Sequence, residues 1–322
     1  MYYYLGIDGG GTKTEAVLSD FRGNILKVVK SSGSNPIFVG RDTALKNIRE
    51  VLDNILRGAN PDKISQIVLC IPGIGKYKEE LFMMPDLDKK RISIEGDDLN
   101  TFYGALGKEY GIVVLTGTGS FVLGINKEGR KKVIGGWGPL IGDPGSGYWI
   151  GREALRVVTV NFDGLGPKTI LTGKIKNFYK IEDTNLLRRE VNPENIGLLA
   201  PLVLEAALEG DKVAHAIIKR AVKDLAKMAK KIILELKLDK EEYDLTITGG
   251  ISKLGDILWG PFIKEIHSLY GRINIVRPRF TPSIGSILMA LKKDGVEWTD
   301  EILNNLKISY EKVIKDVYGD VF

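Results

Sequence analysis

The chain opens with short runs in which apolar and polar positions alternate, and later settles into longer runs with an apolar residue every three to four positions. The first pattern predicts strands and the second helices. Residues 2–7 read as a strand, and Thr14, Ala16 and Leu18 mark a second one leading away from a glycine turn. A third strand, 24–29, follows Arg22-Gly23-Asn24. In 41–56, Ala44, Leu45, Ile48, Val51, Leu52, Ile55 and Leu56 fall at helical spacing. Residues 66–71 and 91–94 are further short strands, and a helix is expected over 99–108.

The next segment repeats this grammar. Residues 112–116 read as a strand, Gly117-Thr118-Gly119-Ser120 as a small-residue turn, 121–125 as a strand, and 132–135 as a strand after Glu128-Gly129. Two copies of strand, glycine turn, strand, turn, strand suggest a duplicated α/β unit. Helical spacing then covers 146–162, 167–179, 195–208 and 211–236, the last with Ile217, Ile218, Ala221, Val222, Leu225, Ala226, Ala229, Ile232 and Ile233 on one face. Strands are expected at 243–248 and 273–276, and helices at 282–291 and 299–317.

Composition narrows the function classes. A chain of 322 residues, 43% hydrophobic and 27% charged, has room for two cores. The net charge of +5 comes from 46 basic and 41 acidic side chains, with no basic run interleaved with aromatics, so nucleic acid is not the expected partner. Cys70 is the only cysteine, and His215 and His267 are the only histidines, so neither a disulfide framework nor a Cys/His zinc site can be assembled. No leader-like or membrane-spanning run is present, and a cytoplasmic protein is expected.

Four turns of small residues each follow a predicted strand: 8–14, 117–120, 135–147 and 248–250. In α/β sheets ligands bind beyond the carboxyl ends of strands, so these turns are expected to line a cleft between two lobes. The first, Asp8-Gly9-Gly10-Gly11-Thr12-Lys13-Thr14, lets backbone N–H groups approach an anion, while Asp8 can hold a cation through water. Alone it reads equally as a tight hairpin with Lys13 exposed. Asp97-Asp98 stands between a strand and a helix, where one aspartate is explained as an N-cap and the other is free for chemistry. Asp143 also precedes a helix and invites a capping explanation, Trp137 is either a stacking face or a buried structural ring, and Arg152 and Glu153 read as first-turn charges.

The stretches GIDGGGTKT, LTGTGSFVLG, GGWGPLIGDPGSGYWIGREAL, TITGGIS and PSIGSILMAL together resemble the N-acetylglucosamine kinase and BadF/BcrA-type ATPase group of the actin, Hsp70 and sugar-kinase superfamily. The resemblance runs from about residue 4 to about residue 291. It implies a duplicated ribonuclease H-like (actin-like ATPase) α/β fold, with an N-terminal lobe at 1–110, a C-terminal lobe at 111–298 and a closing helix, about 299–322, packed back on the first. It further implies ATP and Mg2+, with Asp8 on the metal and the phosphates at Gly10, Gly11, Thr12, Lys13, Gly117, Thr118 and Gly119. Gly249 and Gly250 match the adenosine motif, and 282–291 resembles the second interdomain connector.

The family's catalytic aspartate lies twenty residues before the threonine of the GTGS turn, which selects Asp98 as proton acceptor and leaves Asp97 as cap. Matching positions assign sugar contacts to Asn35, Asp98, Thr118, Gly136, Asp143 and Gly147. The expected activity is phosphorylation of a hexosamine, N-acetylglucosamine at its 6-hydroxyl first, by a homodimer. An electron-transfer ATPase of the same group needs cysteine pairs, which a lone Cys70 does not supply. A non-catalytic sugar sensor is the remaining alternative, and the retained Asp8, Asp98 and Asp143 speak against it.

Overall fold

A computed structural model describes residues 2–83, 88–238, 242–268 and 270–318. The chain divides into two compact units, the first from Met1–Lys108 with Pro278–Phe322 and the second from Glu109–Arg277.

In the first unit the order is β1 (Tyr3–Gly9), β2 (Lys13–Asp20), β3 (Ile25–Ser32), α1 (Pro36–Val39), α2 (Arg41–Leu56), β4 (Ile64–Cys70), α3 (Lys78–Phe82), β5 (Ile92–Glu95) and α4 (Asp97–Leu106). The second unit contains β6 (Gly111–Thr116), β7 (Ser120–Ile125), β8 (Lys131–Gly135), α5 (Gly147–Phe162), α6 (Leu171–Tyr179), α7 (Leu187–Glu190), α8 (Pro193–Ile196), α9 (Ala200–Leu208), α10 (Lys212–Leu236), β9 (Tyr243–Thr248), α11 (Asp256–His267) and β10 (Ile273–Ile275). The chain then returns to the first unit with α12 (Pro282–Lys293) and α13 (Asp300–Tyr318).

The two sheets have one topology. The first runs β3-β2-β1-β4-β5 and the second β8-β7-β6-β9-β10. In each, the three consecutive strands pair antiparallel, and the remaining two join in parallel. The duplication expected from the repeated strand and turn grammar is thus present strand for strand.

Alternation along the strands follows from burial on both faces of the first sheet. Leu5, Ile7, Ala16, Leu18, Ile67 and Leu69 pack with Ile48, Val51, Leu52 and Ile55 of α2. Tyr4, Val17 and Val68 pack on the other side with Ile284, Ile287 and Leu288 of α12 and Leu303 and Leu306 of α13. Close approach here needs glycine: a Cβ on Gly6 would lie 2.7 Å from the Ile287 backbone nitrogen, and one on Gly285 would overlap the Asn100 carbonyl. This interlock groups α12 with the first unit, so 278–298 belongs there and not with the second lobe as the sequence boundaries had it. The α13 helix lies on β3, where the Ile25 amide donates to Ser309 Oγ at 2.8 Å. In the second unit one core is built around α10, whose apolar face meets β6, β7, α5, α9 and α11.

Candidate active site

At the carboxyl end of β1, Asp8 is paired across the sheet with Glu15 and the chain reverses through Gly10 to Thr12. Gly10 anchors the neighbouring loop, because its carbonyl accepts from the consecutive amides of Ser34 at 3.0 Å and Asn35 at 3.1 Å. A Cβ on Gly33 would overlap the Gly11 carbonyl, so the Asn35 loop is pressed against the glycine turn. Asn35 itself is buried and caps α1, accepting from the Ile37 amide at 2.9 Å. Thr12 and Lys13 are exposed at the tip of the turn.

Asp8 is half-buried, and the loss of water pushes its carboxyl up from 3.8 to about 6, with the Glu15 and Asp97 charges adding to the rise. Opposing this, Asn100 Nδ2 donates to Asp8 Oδ1 at 2.9 Å and Lys13 supplies a positive charge nearby. A carboxylate so weakly compensated suits a cation. Among the described residues no group of three or more acidic, histidine or cysteine side chains is placed to hold a metal ion.

Asp97 and Asp98 open α4 just beyond β5. The capping expectation for Asp97 is corrected: Gly96 holds the N-cap position without a side-chain bond, and both aspartates lie in the first helical turn, where the helix dipole favours negative charge. The Asp98 carboxylate lies back over Gly96, where a Cβ would overlap its Oδ1.

The second unit assembles the other glycine turns around one another. The Gly147 amide donates to the Gly117 carbonyl at 2.7 Å, Thr116 Oγ1 to the Gly145 carbonyl at 2.7 Å, and Ser120 Oγ to the Pro144 carbonyl at 2.8 Å. The Gly136 amide donates to the Ser120 carbonyl at 2.9 Å, and a Cβ on Gly249 would overlap the Thr116 carbonyl. Gly117, Gly119, Gly136, Gly147, Gly249 and Gly250 therefore come together at the carboxyl ends of β6 and β9, with Thr118 exposed at the turn.

Asp143 is buried among these turns with a left-handed backbone, φ 54°, and accepts from the Gly138 amide at 3.2 Å. Burial raises its carboxyl above the usual range, while the Gly138, Ser120, Trp137 and Gly136 amides pull it down. It is not the cap of α5, because Ser146 Oγ accepts from the Trp149 amide at 3.1 Å and fills that role. Trp137 is 76% exposed, which rules out a buried structural ring.

Glu153 departs from the sequence reading as a first-turn surface charge. It lies in the second turn of α5, is buried, and pairs with Arg220 at 3.0 Å, Arg156 at 3.6 Å and Arg152 at 3.9 Å. His215 and His267 are exposed on α10 and α11. The Met83-Met84 pair reads from sequence as core rather than site; Met83 is exposed, and Met84 lies outside the described residues. Two buried polar residues beside Asp8 escaped sequence reasoning. Asn100 was an unremarked position in a predicted helix, and Glu15, held by Ser283 Oγ and by Tyr310 Oη at 2.9 Å, was one polar member of an alternating strand.

Two copies of one five-stranded topology, each with a glycine turn between its first two strands and an aspartate at the first of these, define the class of actin-like ATPases and sugar kinases. Within it, the chain belongs to the BadF/BadG/BcrA/BcrD ATPase family, whose model matches residues 5–290. It is 34% identical to N-acetyl-D-glucosamine kinase of Dictyostelium discoideum, over 89% of this chain and 97% of that one. It is 30% identical to N-acetylmuramic acid/N-acetylglucosamine kinase of Clostridium acetobutylicum, over 90% and 98%. A Chromobacterium violaceum structure, solved as a candidate N-acetylglucosamine kinase, superimposes with a TM-score of 0.74 at 25% identity, covering 90% of this chain and 99% of that chain.

Proposed function

We propose that this protein is an ATP-dependent hexosamine kinase whose preferred substrate is N-acetylglucosamine, phosphorylated at its 6-hydroxyl. The observation that carries the reading is the match along nearly the full length of both chains to two relatives named as N-acetylglucosamine kinases. Membership of an ATPase family supports ATP as phosphoryl donor.

The site residues take the following roles. Asp98, fixed at the start of a helix whose backbone interlocks with α12, accepts the proton of the attacking hydroxyl. Amides of the 10–13 and 117–119 turns bind phosphate oxygens where glycine lets an anion approach the backbone, those of Gly10 and Gly117 being already donated to the Lys13 and Gly119 carbonyls at 2.9 Å. Gly249 and Gly250 leave room for the adenosine. Asp143, its carboxylate held by turn amides, accepts from sugar hydroxyls together with Asn35, Thr118, Gly136 and Gly147. Asp8 would hold Mg2+ through water, and the ion when bound neutralises charge on the phosphates. The lone Cys70, buried in β4, leaves no cysteine set for an electron-transfer cluster. The reading also places the protein in the cytoplasm, as one cysteine in a reducing compartment suggests, and carries over a homodimer from the resemblance; sedimentation velocity tests the latter.

Asp98→Asn tests the assignment. The variant should lose phosphoryl transfer by about 100-fold or more while ADP binding by calorimetry stays near wild type. An undiminished rate would remove Asp98 from the chemistry.

A further inference from the structure

We infer that Asn100 is a positioning residue for Asp8, fixing one carboxylate oxygen so that the other is presented to the cation that accompanies the nucleotide. The inference rests on the reading of Asp8 as the metal-side carboxylate.

Asn100 is fully buried on α4, and its amide nitrogen serves two acceptors, Asp8 Oδ1 at 2.9 Å and Ser286 Oγ at 3.1 Å. Its amide oxygen is buried with no hydrogen-bond partner among the described residues. The fold therefore uses only the donating end. For packing alone an apolar side chain of similar size would serve better, since it would bury no orphaned acceptor. The polar identity of the residue is accounted for by Asp8, to which no other side chain among the described residues donates a hydrogen bond.

The donor is also held rigidly. At Asn100 the backbones of α4 and α12 meet without side chains between them, because a Cβ on Gly285 would overlap the Asn100 carbonyl and one on Gly104 would overlap the Thr281 carbonyl. A helix locked in this way delivers its amide to a fixed point at the end of β1. The same helix carries Asp97 and Asp98 in its first turn. One rigid element thus sets the orientation of the Asp8 carboxylate and the place of the proposed proton acceptor.

The test compares Asn100→Leu, close in size but unable to donate, with Asp8→Asn and wild type. Loss of a partner that orients a metal-side carboxylate weakens metal binding by about 10- to 100-fold. For Asn100→Leu, the Mg2+ concentration giving half-maximal rate should rise by roughly that factor, and calorimetric affinity for ADP should fall in Mg2+ but not in EDTA. The sugar KM should hold. Asn100→Ala, which introduces no extra bulk, should show the same metal-selective loss if the leucine variant misfolds. An unshifted Mg2+ requirement in a folded Asn100 variant would overturn the inference, as would equal loss of ADP affinity with and without Mg2+. If Asp8→Asn shifts the Mg2+ requirement and Asn100→Leu does not, the role of Asn100 falls and that of Asp8 stands. If Asp8→Asn itself leaves the requirement unchanged, the reading of Asp8 falls and the inference with it.

Discussion

Replacing Asp8 by asparagine should make the metal-free protein more stable at neutral pH. In the unfolded chain this carboxyl titrates near 3.8, whereas in the folded protein loss of water raises it to about 6. Between those two values the folded state holds a proton that the unfolded state has released. Stability therefore falls as pH rises from about 4 to about 6, and stays lower above that window. The displacement corresponds to about 3 kcal/mol, and partial access of water to this half-buried side chain brings the expected effect to about 1–3 kcal/mol. Asparagine keeps an oxygen able to accept from Asn100 Nδ2, so the substitution removes the charge without orphaning its partner. Urea unfolding in EDTA, followed by circular dichroism from pH 4 to pH 8, measures the difference. Asp8→Asn should exceed wild type by about 1–3 kcal/mol at the upper end and match it at the lower. A variant no more stable than wild type at neutral pH, or a gap that does not change with pH, would refute the claim that Asp8 is held as an undercompensated anion.

Gly285→Ala should destabilise the first unit by about 3 kcal/mol or more, because its Cβ would fall on the Asn100 carbonyl and neither backbone can give way cheaply; thermal melting should show the loss. Glu153→Ala should cost about 1–3 kcal/mol in urea, since it strips the shared carboxylate from Arg152, Arg156 and Arg220, each of which remains partly solvated. Glu153→Gln should cost less, because the amide keeps the volume and a polar oxygen facing Arg220 while losing only the charge.

The strands were legible because the pleat exposes alternate residues to two different helical layers: Leu5 and Ile7 to α2, Tyr4 to α12. Helix limits were less so. The 195–208 segment reads as one helix by its apolar spacing, yet it breaks at Gly197 into a tight turn and resumes with Pro201 in the first turn of α9. The helix expected over 167–179 starts only at Leu171, beyond a loop in which the left-handed Gly164 turns the chain. Asp97 looked like a cap because acidic residues are common at helix starts, but Gly96 takes that position and leaves both aspartates inside.

Assignment of 278–298 to its unit depended on contacts that periodicity does not carry. Gly285, a small residue that permits a close helix crossing, was the hint that α12 packs backbone to backbone against α4. Glycine turns could be found because few residue types tolerate such approaches, as Gly33 against Gly11 and Gly249 against Thr116 illustrate. Asn100 could not, since its function depends on Asp8 and Ser286, residues far away in the chain that only the folded unit brings to its amide.

The central claim is that the γ-phosphoryl group of ATP is transferred to an amino sugar. Mass spectrometry of the sugar recovered after incubation with protein and Mg2+-ATP, across hexoses, hexosamines and N-acetylated hexosamines, tests it most directly. The account predicts one added phosphoryl group on N-acetylglucosamine, with the fragment pattern placing it at the 6-oxygen, and no such product with Asp98→Asn. Release of ADP and inorganic phosphate with every sugar recovered unmodified would contradict it.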